Sequence, residues 1–135
     1  MTLQRVDVEG ITTVSSPYPS FVAVERLVFI SGQVSLDDTA NVVAEDDVAG
    51  QTRQTLHRLE RVLASAGSDL DHVLATTVYL TDPAHADEFN TEWARWFAHC
   101  RPARATVIAP LLDQRLLVEV QAIAVVSGSS RPDHP

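Results

Sequence analysis

The sequence predicts a single domain in which a sheet of five or six strands carries two helices on one of its faces. Three observations lead there. Apolar residues recur at spacings of three and four in two segments, 46–66 and 82–100. The segments before, between and after these are short runs rich in Val, Ile, Leu and Thr. The order is therefore strands, helix, strand, helix, strands. Finally, Leu27–Ile30 and Ile123–Val126 have no polar face to give to water, so both faces of the sheet need cover. Two helices of this size cover one face, and self-association through the sheet is the simplest cover for the other.

The elements follow in order. Thr2–Ser15 alternates loosely, with Leu3, Val6, Val8 and Ile11 apolar and Gly10 as a turn, and reads as one strand or a short strand with a bulge. Ser16–Ser20 is a loop, because Pro17 and Pro19 remove ladder donors and hold Tyr18 between them. Tyr18 is then either a packing ring or a pocket wall with a hydroxyl handle. Phe21–Ala23 and Leu27–Ser31 are strands around a Glu25–Arg26 turn. The second runs into Gly32, a turn glycine or a point of close backbone approach. Val34–Val43 is a polar excursion. Asp46 or Asp47 caps the first helix, whose stripe is Val48, Thr52, Leu56, Leu59, Val62, Leu63 and Ala66, and Gly67 ends it. Arg53, Arg58, Glu60 and Arg61 are assigned to its solvated faces.

Leu70–Thr81 is a strand rich in β-branched residues. Asp82 and Pro83 open the second helix as N-cap and first-position proline. It carries Phe89, Trp93, Trp96, Phe97 and Cys100 inward and is stopped by Pro102. Asn90 sits beside this stripe; Asn is mildly unfavourable in a helix interior, which suits a buried side-chain hydrogen bond. Two strands, Arg104–Ala109 and Leu117–Val126, close the domain around a loop at Asp113–Arg115. The domain is taken as residues 1–126, and the Ser/Gly/Pro-rich stretch 127–135 as a disordered tail.

Composition narrows the function. The net charge is −8, and every basic residue is arginine. An acidic surface offers no basic stripe to a phosphate backbone, so nucleic acid is disfavoured as a partner. No apolar run is long enough to span a membrane and the N-terminus lacks a secretory pattern, so the expected location is cytoplasmic. The single cysteine, Cys100, has no internal disulfide partner. His57, His72, His85, His99 and His134 show no ligand spacing, and no cysteine pair accompanies them. Gly-rich nucleotide loops and a nucleophile-elbow serine are also missing. Neither a metal nor a cofactor is expected.

What remains is a pair of charges in strands. Arg104 opens one strand behind Pro102, and Glu119 lies between Val118 and Val120 in the other. A charge among Val, Ile and Ala is costly unless paired or solvated. Were the two strands neighbours, both charges would face one small space, the expected active site.

Several pieces occur together in order: Pro17–Tyr18, L-V-F-I-S-G-Q at 27–33, Q-T-R-Q-T-L at 51–56, Ala66–Gly67 and T-T-V-Y-L-T-D at 76–82. They continue with F-N-T-E-W at 89–93, P-A-R at 102–104 and V-E-V-Q-A-I-A-V at 118–125. On these the chain resembles the reactive-intermediate deaminase family, the RidA or YjgF-type proteins, over residues 16–126. The resemblance implies an α+β fold of the chorismate-mutase-like kind, with a mixed sheet and two helices on one face. It also implies a homotrimer, with the sheets as a central barrel and clefts between subunits. The implied chemistry is cofactor-independent hydrolysis of 2-imino or enamine acids, such as 2-aminoacrylate, to 2-keto acids and ammonia. In that frame Arg104 binds the substrate carboxylate and Glu119 places a water. Tyr18, Gly32 and Asn90 line the cleft, Tyr18 from the adjacent subunit.

The sequence departs from the family pattern at a few places. Arg58 stands where members often carry Asn, with an effect expected at the surface only. Thr106 replaces a Cys of some members, the 110–116 loop is bulkier than usual, and Trp93 and Trp96 replace smaller or Tyr residues. Three functions compete. They are a deaminase of broad or pathway-specific range, a non-catalytic binder of small carboxylates, and a ribonuclease or translation inhibitor. The net charge argues against the last.

Overall fold

The structure, a computed structural model, describes residues 1–128; the expected disordered tail lies, from residue 129 onward, outside the described residues. Six strands and two α-helices follow as β1 (Leu3–Val6), β2 (Phe21–Val24), β3 (Leu27–Val34), α1 (Val48–Ser65), β4 (Val73–Leu80), α2 (Ala86–Phe97), β5 (Ala103–Ile108) and β6 (Val118–Val125). They form one sheet in the order β1-β2-β3-β6-β4-β5. All pairs are antiparallel except β4 with β5, which are joined by α2 as a parallel crossover. The sheet is thus mixed, with β1 and β5 as its edge strands.

Helix starts follow their caps. Asp47 accepts from Gly50 N at 2.9 Å, a bond of the kind that contributes about 1 kcal/mol. Asp82 accepts from Ala84 N, but Pro83 opens a single 3₁₀ turn and α2 proper begins at Ala86. Gly67, at φ 77°, ends α1 as expected, with its N–H on Ala64 O and the Ser68 N–H on Leu63 O.

The register assigns the faces. Val28, Ile30, Val78, Leu80, Val118 and Val120 point to the helices and meet Leu56, Leu59, Leu63, Phe89 and Phe97, all nearly or fully buried. Burying each such side chain contributes about 1.5–3 kcal/mol. The opposite face carries Leu27 and Phe29 at 39% and 42% exposed, with Ile123 and Val125 beside them. Among the described residues no helix lies over it.

Four expectations need correction. The strand that was to end at Ser31 continues through Gly32 to Val34, with a register shift between Ile30 and Gln33. Gly32 therefore sits inside a bulged strand rather than in a turn. Arg58, assigned to solvent, is only 4% exposed, because the polar excursion after β3 folds back over α1. Asn90 is exposed, not buried. Finally, β5 and β6 are not neighbours: β4 lies between them.

Candidate active site

Arg104 and Glu119 lie on opposite faces of the sheet. Arg104 is opposite Thr76, whose other neighbour, Ala122, is in the helix-facing row. Glu119 is opposite Tyr79 and Val34, one residue out of that row, and points to the uncovered face. Within one chain the two charges therefore do not share a space.

Each charge organises its own half-site. The Arg104 guanidinium carbon lies 5.3 Å from the ring centre of Phe89 and 5.1 Å from that of Trp93, so α2 supplies an aromatic shelf. Its Nη2 donates to Asn90 Oδ1 at 2.8 Å and its Nε to Thr106 Oγ1 at 3.0 Å. The hydrogen bond expected of Asn90 thus exists, with Arg104 as donor. A guanidinium has five N–H groups, and these bonds engage two. Among the described residues no carboxylate lies within ion-pair distance of Arg104. Partial burial lowers its pKa from the ordinary value, although an arginine stays charged. It is an oriented cation in want of an anion. A pocket beside it is lined by Trp93, Phe97, Arg101 and Pro102.

The other half-site is built on the bulge. A side chain at position 32 would run into the Glu119 carboxylate, so the glycine is what lets Glu119 lie flat over β3. Burial raises the Glu119 pKa above the usual carboxylate value. Gly32 also lines a pocket of about 130 Å³ with Tyr18, Ser16, Ser31 and Arg58. Tyr18 is 56% exposed, which makes it a pocket wall and not a packing ring. Ser31 Oγ donates to Pro19 O at 2.7 Å and ties the Tyr18 loop to β3.

The structure thus groups Arg104 with Asn90, and Gly32 with Glu119 on one side and Tyr18 on the other. Sequence reasoning missed three supports. Glu92 is buried on α2 and accepts from Arg53 at 3.1 Å, Arg95 at 3.4 Å and Trp96 Nε1 at 3.3 Å, fixing the helix that carries Asn90. Gln51, fully buried, accepts from Leu117 N and donates to Arg115 O, both at 2.8 Å, and so pins the start of β6. Thr106 was noted only as a substitution, yet it orients Arg104. Alternation along β5 was the available signal, since 104 and 106 share a face. Within the 110–116 loop, Arg115 hydrogen-bonds Asp113 through side chain and backbone and holds its pKa down to about 2. Among the described residues no cluster of three or more His, Cys, Asp or Glu is placed to hold a metal, and no helix is long and apolar enough to cross a membrane.

These features define a class: an α+β domain with an aromatic-backed arginine at one sheet edge and a half-buried glutamate on the other face. The chain belongs to the YjgF/RidA family, whose model, described as Endoribonuclease L-PSP, matches residues 11–126. It is 36% identical over 109 residues to the 2-iminobutanoate/2-iminopropanoate deaminase of Mus musculus, covering 81% of each chain. It is 32% identical over 118 residues to the 3-aminoacrylate deaminase RutC of Acinetobacter baylyi, covering 87% of this chain and 94% of the relative. Among solved structures, the Rid-family protein YyfA of Yersinia pestis superposes with a TM-score of 0.85 at 28% identity, covering 93% of this chain and 100% of the other. The family thus includes deaminases of imines and enamines, and the fold expectation of a mixed sheet with two helices holds.

Proposed function

We propose that the protein hydrolyses 2-imino and enamine acids to 2-keto acids and ammonia, at sites completed between copies of the chain in a trimer. The observation that carries this reading is Arg104, a partly desolvated guanidinium held by Asn90, Thr106 and two aromatic rings, with no carboxylate of the described residues within ion-pair distance. Its planar fork suits a substrate carboxylate and fixes the reacting carbon in place. Because Arg104 and Glu119 face opposite ways in one chain, a second copy brings a Glu119 to each Arg104. The uncovered apolar face supplies the surface for that contact.

The chemistry needs no cofactor. An enamine first takes a proton at its β-carbon and becomes an iminium ion, which an imine reaches by taking a proton at nitrogen. Water then adds to the C=N carbon and gives up a proton to Glu119, whose raised pKa brings it closer to neutral pH than a solvated carboxylate. Glu119 returns its proton to the carbinolamine nitrogen, which leaves as ammonia while the hydroxyl passes its proton to the Glu119 carboxylate and C=O forms. Backbone N–H groups beside Gly32 and the Arg104 fork are the candidates for stabilising charge on the tetrahedral intermediate.

The ribonuclease activity in the family's name is opposed by the charge of −8 on each chain. The test is an assay in which an amino-acid oxidase generates imines and semicarbazide traps what escapes hydrolysis. Wild type accelerates imine loss, and Arg104→Ala loses about 100-fold or more of that acceleration. A folded wild type that accelerates nothing, yet binds keto acids, is a non-catalytic carboxylate binder instead.

A further inference from the structure

The row Gln54, Arg58 and Arg61 on α1 grips the segment after β3. Gln54 Nε2 donates to Leu36 O at 2.7 Å, and Arg58 Nη1 donates to Leu36 O and Asp37 O at 3.1 Å each. Arg61 Nη1 pairs with Asp38 at 2.7 Å. Arg58 is 4% exposed and, among the described residues, hydrogen-bonds only to these neutral carbonyls, while Asp37 and Asp38 act on it at longer range. The two carboxylates of the segment are engaged elsewhere, Asp37 by Thr39 and Asn41, and Asp38 by Arg61. Arg58 Nε is buried with no hydrogen-bond partner at all. Arginine is almost never fully buried unless paired, and a buried charge without a counter-ion is strongly unfavourable. Carbonyls that position the segment could be met by a neutral amide, so loop anchoring alone does not call for a guanidinium.

Arg58 lines the same pocket of about 130 Å³ as Tyr18 and Gly32, together with Thr12, Ser16 and Gln33. That space exceeds what one water needs and falls well short of a nucleotide-sized pocket. Gly32 touches both this pocket and Glu119. A substrate held at Gly32 therefore shares a pocket with hydroxyl-bearing walls and a buried guanidinium that meets no carboxylate of the described residues within ion-pair distance, Asp37 and Asp38 acting on it only at longer range.

We propose that this pocket receives the second acidic group of the substrate, so that the preferred substrates are 2-imino dicarboxylic acids whose far carboxylate meets Arg58. The proposal rests on the reading of the site as an imine deaminase and adds the substrate class. The far carboxylate supplies acceptors that Arg58 lacks and neutralises its charge in place. A neutral aliphatic arm in the same pocket does neither.

The test uses stable keto acids as probes on the purified full chain. By calorimetric titration, 2-oxoglutarate binds wild type about ten-fold more tightly than 2-oxobutyrate, as one additional charge-assisted hydrogen bond gives. In Arg58→Gln that ratio falls to about one while 2-oxobutyrate affinity is kept within about two-fold. Because a buried arginine is being replaced, a measurement on the unaltered protein stands beside it. The Arg58 Nε–H resonance in ¹⁵N-arginine-labelled wild type moves on adding 2-oxoglutarate and not on adding 2-oxobutyrate. Equal affinities in wild type, no binding of 2-oxoglutarate, or a resonance that ignores it overturns the proposal. The deaminase reading fails separately: it is sunk by an Arg104→Ala variant that hydrolyses imines as wild type does, whatever the ratio at Arg58.

Discussion

Glu119 sits in a half-site whose pH behaviour follows from its burial. Its pKa is raised, so the folded protein holds that proton to higher pH than the unfolded chain does. The buried carboxylate therefore costs stability as pH rises through the raised value and costs nothing below the ordinary one. Glu119→Gln is expected to melt a degree or two above wild type at neutral and alkaline pH, with the difference fading toward acid; differential scanning calorimetry across pH reads it. The same variant loses about 100-fold or more in kcat and, with it, the acidic limb of the pH–rate profile. Gly32→Ala probes the neighbour. The new Cβ meets the far end of a flexible side chain, which can swing away, so the fold survives while Glu119 is displaced and kcat falls. A Gly32→Ala enzyme of full activity would show that the placement of Glu119 does not matter to the reaction. Arg58 shows where residue-level reading stops. On a helical wheel it belongs to the polar face, and only the return of residues 36–38 over that face buries it.

The elements were more legible than their contacts. Both helices, and the Asp47 cap and Gly67 end of α1, follow from periodicity and local signals, whereas α2 starts at Ala86, after the 3₁₀ turn that Asp82 caps, and ends at Phe97, short of the expected Cys100. The neighbour relation of β5 and β6 was not legible. Their short loop suggests a hairpin, but the crossover through α2 makes β5 the parallel edge partner of β4. That one topological fact moves Arg104 two strands away from Glu119 and onto the other face. It also gives α2 its task. Phe89, Trp93 and Phe97 stack along the helix with ring centres 5.4 and 4.5 Å apart, and Arg104 rests on the first two. Trp93→Leu keeps an apolar side chain but removes the shelf. It is expected to cost about 1–3 kcal/mol of stability and to raise KM more than it lowers kcat, because Arg104 loses its orientation. Denaturant melts and steady-state kinetics separate the two effects.

At the scale of the molecule, helices cover one face of the sheet among the described residues, and the proposed assembly would cover the other. Sequence reasoning reached this point from the absence of a polar face at Leu27–Ile30 and Ile123–Val126. The resemblance implied clefts between subunits, but the opposite facing of Arg104 and Glu119 follows from strand order and register, not from composition. Mixing tests the proposed division of the site between chains. Inactive Arg104→Ala and inactive Glu119→Gln chains, unfolded and refolded together, regain about a quarter of wild-type activity if each site draws one residue from each of two chains, by random combination in a closed ring. Sites contained within one chain regain none.

The edge strand β5 carries a further consequence. All six of its residues are exposed in the single chain, including Arg104, the residue proposed to receive the carboxylate. Substrate capture and subunit association then draw on one surface, and mass action couples them: a small acid that bridges two chains also holds them together. Dilution should therefore weaken apparent substrate affinity, not merely the yield of active enzyme. In sedimentation runs near the dissociation point, added 2-oxobutyrate should shift the population toward the assembled form, and Arg104→Ala should abolish that shift.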